Sequence, residues 1–177
     1  MEHIIVLGAG VGGTMTANML RRRLDRSDVS ITIVDKSTNH AYQPSFYLLP
    51  FGYMEPDDQF RDVREVLKGG VEFVHDEVTG VDPDAKRVEL SDTELSYDYL
   101  VVSLGHRLAP EETPGMVDGW KETDAVHPFY HFEGSMSLRD ALEDFDGGTF
   151  VVSVPDTSIK CGGAPLKMTM LAEDYFR

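Results

Sequence analysis

A glycine-rich turn set between an apolar run and a helical stretch constrains this chain more than any other feature. His3-Ile4-Ile5-Val6-Leu7 reads as a strand, and Gly8-Ala9-Gly10-Val11-Gly12-Gly13 follows and satisfies GxGxxG. Residues 14–23 have helical composition, residues 29–34 read as a second strand, and Asp35 closes that strand 22 positions after Gly13. Each part has a physical task. Gly8 permits a tight turn, Gly10 lets backbone approach a pyrophosphate, and Gly13 lets the helix lie close to the strand. The helix N-terminus then faces the pyrophosphate, with Ala9 and Gly12 in the same loop, and Asp35 accepts the ribose hydroxyls. A bare GxGxxG says little. The complete strand–turn–helix–strand–acid set predicts a Rossmann-like dinucleotide site, and the carboxylate of Asp35 favours FAD or NAD over a 2′-phosphorylated ligand.

A second feature lies near the other end. The single cysteine, Cys161, sits in Thr157-Ser158-Ile159-Lys160-Cys161-Gly162-Gly163-Ala164-Pro165. A strand-like run, residues 149–154, precedes it, and a helix-like run, residues 166–176, follows. The free N–H groups and positive end of a helix favour thiolate over thiol, and Lys160 and Lys167 act in the same direction. Pro165 suits the first helical position. A small buried cysteine is the blander alternative; the glycine pair and the lysines favour a reactive one.

Composition narrows the classes. Thirty-one acidic against 16 basic residues give a formal charge of −15, which argues against nucleic acid and anionic membrane surfaces as partners. The acidic, lysine-poor surface suggests a halophilic source, where salt screens self-repulsion. One cysteine excludes a disulfide framework within the chain. No apolar run reaches the ~20 residues that span a bilayer. No signal peptide is expected, since Met1-Glu2 leads straight into the first strand, and no metal site is expected.

Along the chain, Asn39-His40-Ala41-Tyr42-Gln43-Pro44-Ser45-Phe46-Tyr47 is an aromatic loop placed to run along a cofactor. Residues 59–68 read as a short helix, residues 71–74 and 76–81 as strand, 87–90 with 94–97 as a hairpin, and 99–104 as a buried parallel strand. Prolines 110, 114 and 128 mark a loop-rich boundary. A helix is expected over 137–143. The expected class is α/β. A three-layer Rossmann-like FAD domain occupies residues 1–110, and residues 111–177 begin a second, degenerate nucleotide-binding-like domain. In that second unit Pro155 removes an N–H that a phosphate would need, and the glycine spacing around Cys161 is wrong for NAD.

These residues together resemble the sulfide:quinone oxidoreductases, membrane-associated flavoproteins of the glutathione-reductase structural superfamily. The likeness rests on residues 6–13, Tyr42-Gln43-Pro44, residues 97–105 and, above all, Lys160-Cys161-Gly162-Gly163-Ala164-Pro165 and the helix after it. It implies FAD held by Gly8, Gly10, Gly13, Asp35 and Lys36. It also implies contacts from Tyr42, Gln43 and Pro44, from the backbone near Val78, and from Gly105. Cys161 matches one of two cysteines that flank the flavin and trade electrons with sulfide through a disulfide, persulfide or polysulfide. Some members carry another cysteine, able to attach to flavin, where this chain has Ser135-Met136-Ser137, so FAD is expected to be bound non-covalently. A family Ala-Thr-Gly is here Ser103-Leu104-Gly105, with one hydroxyl lost near the flavin path.

Members of that family are much longer. Their C-terminal half supplies a second flavin segment, the partner cysteine, the quinone pocket and amphipathic membrane helices. The resemblance therefore implies a fragment or a chain completed by another, with an unpaired sheet edge. The expected function is electron transfer from sulfide through Cys161 and FAD to a quinone. The alternatives are a type II NADH:quinone dehydrogenase or related flavin disulfide reductase, and a non-catalytic truncated or split subunit. Membrane association is expected only through the missing half, homo-oligomerisation is left open, and the complete protein is expected in the cytoplasm at the inner face of the plasma membrane.

Overall fold

The first strand, β1 (Glu2–Leu7), is apolar on both sides because both of its faces are covered. Ile4 and Val6 point into one cluster with Ala17, Ile31, Ile33 and Val63. Ile5 and Leu7 point into another with Val34, Val88 and Leu90. The computed structural model describes every residue except Asp124 and Thr157. Two units make it up: residues Met1–Ala41 with Phe60–His106, and residues Tyr42–Gln59 with Arg107–Arg177.

In the first unit β1 lies between β2 (Val29–Asp35) and β9 (Tyr99–Val102), and β2 also pairs with β5 (Glu72–His75). All three pairings are parallel, with Ile4 opposite Ile31 and Tyr99. Helix α1 (Val11–Arg23) covers one face through Ala17 and Leu20. The other face is covered by an antiparallel sheet of β6 (Val78–Asp82), β7 (Arg87–Leu90) and β8 (Glu94–Ser96), which contributes Val88 and Leu90. The result is three layers: helix, parallel sheet, antiparallel sheet. Each fully buried aliphatic side chain in the two clusters stabilises the stack by roughly 1.5–3 kcal/mol. The hairpin read from residues 87–97 is present as β7 and β8.

Residues 59–68 do not form the expected helix. A 3-10 turn (Pro56–Gln59) leads into β4 (Phe60–Asp62), which pairs antiparallel with β3 (Asn39–Ala41). Only then does α2 (Val63–Val66) begin, its N-cap Asp62 accepting the Arg64 N–H at 2.7 Å. The Asn18 side chain ends it, accepting from the Lys68 N–H at 2.6 Å and donating to the Val66 carbonyl at 2.8 Å. A side chain from α1 and a strand partner thus override local helical preference.

The second unit is helical among its described residues. A 3-10 segment (Gln43–Phe51), α3 (Met116–Glu122), α4 (Phe132–Glu143) and α5 (Ala164–Tyr175) supply its elements. Phe51, Leu138, Leu142, Met168 and Ala172 form its core. Helix α4 starts five residues earlier than residue 137, where the sequence suggests. The strand expected over residues 149–154 is not formed. Phe150 and Val152 pack on the helical core while Thr149, Val151 and Ser153 are exposed, so residues 149–153 alternate as a strand does; the exposed Val154 breaks the pattern, and the run has no ladder partner among the described residues. A parallel strand needs a neighbour for its backbone groups, and the described residues of this unit contain none. Pro165 takes the second position of α5 and not the first, because Ala164 already opens it. Thr157 of the turn before Cys161 lies outside the described residues. Among the described residues no helix is long and apolar enough to cross a membrane.

Candidate functional site

The glycine loop is defined by where a Cβ cannot go. Gly8 has φ +94°, and a Cβ there would overlap the Ser103 carbonyl oxygen. At Gly13 a Cβ would overlap the Gly8 carbonyl oxygen. At Gly12 it would lie 2.7 Å from the Ser103 hydroxyl. Gly10 differs, since a Cβ there would meet nothing within 4 Å. The loop is therefore sealed on its inner side by the end of β9 and open at Gly10, where a bulky group can approach the backbone. Gly10 is also the N-cap of α1 and brings no capping side chain. The first turn of a 13-residue helix, with three arginines in its last turn, thus presents N–H groups and a positive end to that opening.

Asp35 ties the loop to β2. Its Oδ2 accepts the Ala9 N–H at 2.6 Å and its Oδ1 accepts the Ser37 N–H at 2.8 Å. Each oxygen keeps a lone pair for a ribose hydroxyl. The Gly8 N–H donates to the Val34 carbonyl at 2.8 Å, and His40 Nδ1 lies 2.9 Å from the Ala9 carbonyl, as its donor. Gly8, Ala9, Gly10, Gly12, Gly13 and Asp35 are brought together. This open, uncapped cradle with an adjacent carboxylate fits the pyrophosphate and ribose of FAD and would repel a 2′-phosphate. Two loop-facing residues, each within a segment the sequence singles out, take roles that the sequence does not assign to them. Ser103 supplies the wall behind Gly8 and Gly12, and His40 pins the Ala9 carbonyl. The signals in the sequence were the place of Ser103 beside Gly105 and of His40 in the aromatic loop.

The remaining expected contacts are dispersed. Lys36 donates to Glu77 Oε1 at 3.0 Å on the surface of the first unit. Val78 opens β6 and packs under the sheet with Leu90. Gly105 has φ +74° and is exposed, with open space where its Cβ would be. Tyr42, Gln43 and Pro44 belong to the second unit. There the Tyr42 carbonyl accepts the Ser45 hydroxyl at 2.7 Å, and Pro44 sits at the start of the 3-10 segment.

Gln43 instead meets the cysteine turn. Lys160 Nζ donates to Gln43 Oε1 at 2.7 Å and lies 5.8 Å from the centre of the Tyr130 ring. Cys161 is exposed. Its carbonyl accepts the Ala164 N–H at 3.0 Å, closing the turn into α5, and also the Tyr130 hydroxyl at 2.8 Å. Lys167 reaches across to the Tyr47 ring at 5.2 Å. Burial pushes the Lys160 ammonium below the usual lysine range, while the neighbouring Cys161 thiolate pulls it up. Burial, and then Cys161, push the Tyr130 phenol up. The site holds an accessible thiol at a helix start, beside an exposed cation whose hydrogen-bond and ring partners here are neutral.

Known proteins share this plan. The model of the pyridine nucleotide-disulphide oxidoreductase family matches residues 2–137. The mitochondrial sulfide:quinone oxidoreductase of Mus musculus is 33% identical over 176 residues, 99% of this chain and 38% of that protein. A type II NADH:quinone oxidoreductase of Staphylococcus haemolyticus is 32% identical over 144 residues, 81% of this chain and 34% of its own. The solved structure of the sulfide:quinone oxidoreductase from Aquifex aeolicus superposes with a TM-score of 0.66 at 25% identity, covering 81% of this chain and 32% of that one. The chain thus spans less than two-fifths of the length of these relatives.

Proposed function

The chain belongs to the pyridine nucleotide-disulphide oxidoreductase family, which is FAD-dependent, and from that premise we propose that it is the flavin-holding, thiol-bearing part of a sulfide:quinone oxidoreductase. One observation carries this reading. The likeness to the mouse sulfide:quinone oxidoreductase runs over 99% of the chain and so includes the Cys161 segment, whereas the family model ends at residue 137. The exposed thiol at the start of α5 supports it.

The residues divide the work. The glycine loop and the α1 N-terminus would hold the FAD pyrophosphate, and Asp35 the ribose. Cys161 is half of a disulfide whose other cysteine lies outside these residues, since the chain has one. Hydrosulfide attacks that disulfide: a new S–S bond forms as the old one breaks, leaving a persulfide on one cysteine and a thiolate on the other. Closing an S–S bond between thiolate and persulfide releases a proton and an electron pair. Bound FAD supplies the acceptor for that pair and the route to a quinone. Lys160 steadies the thiolate stage.

The relative that bears the name type II NADH:quinone oxidoreductase favours a second reading, in which NADH is the donor. Anaerobic addition of each reductant to the FAD-loaded full-length protein, which would carry the second cysteine, separates the two by which one bleaches the flavin. On our reading sulfide bleaches it, NADH does not, and Cys161→Ser loses the sulfide response at unchanged flavin content. Sulfide bleaching that survives in Cys161→Ser would refute the role of this thiol.

A further inference from the structure

We propose that Tyr130 is a positioning residue for Cys161, holding the thiol-bearing turn through its hydroxyl and the neighbouring Lys160 through its ring. The inference rests on the reading of Cys161 as the redox thiol. Its observations all lie within the second unit.

The Cys161 carbonyl is the point at which the turn is fixed. It accepts both the Ala164 N–H and the Tyr130 hydroxyl, at 3.0 and 2.8 Å. Tyr130 is itself rigidly mounted. Its ring stacks on Phe129, with centres 4.9 Å apart and planes 23° apart. The turn that carries it is closed by the His131 N–H on the Pro128 carbonyl at 3.0 Å. The fully buried Ser135 of α4 donates to the Phe129 carbonyl at 2.9 Å. At Gly134 a Cβ would overlap the Pro128 carbonyl oxygen, so a side chain there would drive the turn off the helix. Helix α4 therefore fixes Tyr130, and Tyr130 fixes the backbone of Cys161.

The same ring lies under Lys160, whose ammonium is also held by Gln43. Neither partner is an anion, so the charge is left for the thiolate. Among the described residues, the titratable groups around the turn are Lys160 beside the thiol, Asp156 earlier in the same segment, whose carboxylate accepts the Ser158 N–H at 3.1 Å, Tyr130 from the turn before α4, and Lys167 of α5 over Tyr47 of the 3-10 segment. The raised phenol of Tyr130 keeps its proton, and so remains a donor, across the range in which a thiol ionises.

The test is the pH profile of Cys161 alkylation by iodoacetamide in the reduced, FAD-loaded protein, followed at the Cys161 peptide by mass spectrometry. Tyr130→Phe keeps the ring and loses the hydroxyl. Its midpoint should rise by about half a pH unit, the scale expected from one modest hydrogen bond. Tyr130→Leu also frees Lys160 and should move further, by about one unit. A merely structural role would lower the melting temperature and rescale the rate at every pH without moving the midpoint. An unmoved or lowered midpoint in Tyr130→Phe overturns the proposal, and that variant decides the matter if Tyr130→Leu fails to fold. Alkylation needs no sulfide, so a failure here is distinct from sulfide bleaching that persists in Cys161→Ser.

Discussion

The glycine loop and the cysteine turn both sit at the start of a helix that follows an extended run, yet they are built in opposite ways. At the loop, function is written in missing side chains. Gly8 and Gly13 lie where backbone carbonyls leave no room for a Cβ, and Gly10 lies where nothing stands in the way. At the cysteine turn it is written in side chains that reach across the unit: Tyr130 to the Cys161 carbonyl, Lys160 to Gln43. The first design is stiff because backbone is packed on backbone. The second depends on a few hydrogen bonds, each contributing about 1 kcal/mol. A nucleotide needs a fixed cradle, whereas a thiol that exchanges bonds needs an accessible turn held at a few points.

Substitution of glycine gives the strongest way to break this contrast. Gly13→Ala should force α1 away from the Gly8 carbonyl and destabilise the first unit by ~3 kcal/mol or more, with loss of flavin. Gly10→Ala should cost only about 1 kcal/mol, as alanine at an N-cap does, while still weakening FAD retention. Melting temperature and bound flavin, measured for both, check the pair. Equal destabilisation by the two would mean that the open side of the loop is not open.

A cavity in the second unit sharpens the comparison at somewhat smaller or equal cost. Met168 is 1% exposed, and Met168→Ala should destabilise that unit by about 2–3 kcal/mol. Hydrogen exchange should quicken in α4 and α5 and leave β1 and β2 protected. Equal loss of protection in β1 would show that the two units unfold as one.

The smallest effect is a pH dependence with two opposite signs at the cysteine turn. The folded-state value of Lys160 is lowered from 10.5, so its burial costs stability at neutral pH, and that cost is relieved as pH rises towards 10.5. The folded-state value of Tyr130 is raised from 10.0, so its contribution is intact below 10.0 and is lost as pH rises through the folded value. Melting temperatures from pH 8 to 11 should therefore fall less steeply in Tyr130→Phe than in the parent protein. Parallel curves would sink the Tyr130 assignment.

The first βαβ unit is legible from residues 1–35 alone. An uninterrupted apolar run demands a strand covered on both faces, and the spacing of Gly8, Gly10 and Gly13 before a helical stretch leaves the chain one tight path between strand and helix. The sequence also placed the one thiol at a turn before a helix. These signals are local, carried by residues within a few positions of one another. The remaining features involve partners far apart in the chain. Asn18 and β3 turned the expected helix over residues 59–68 into a strand and a single helical turn. Residues 149–153 have the alternation of a strand but, with no neighbouring strand among the described residues of the unit, form no ladder. Ser103 behind the glycine loop, Gln43 117 positions from Lys160 and Tyr130 31 positions from Cys161 left no periodic trace in the sequence. Propensity and spacing specify a residue's near neighbours along the chain, whereas a hydrogen bond between distant residues exists only once packing has brought donor and acceptor within about 3 Å.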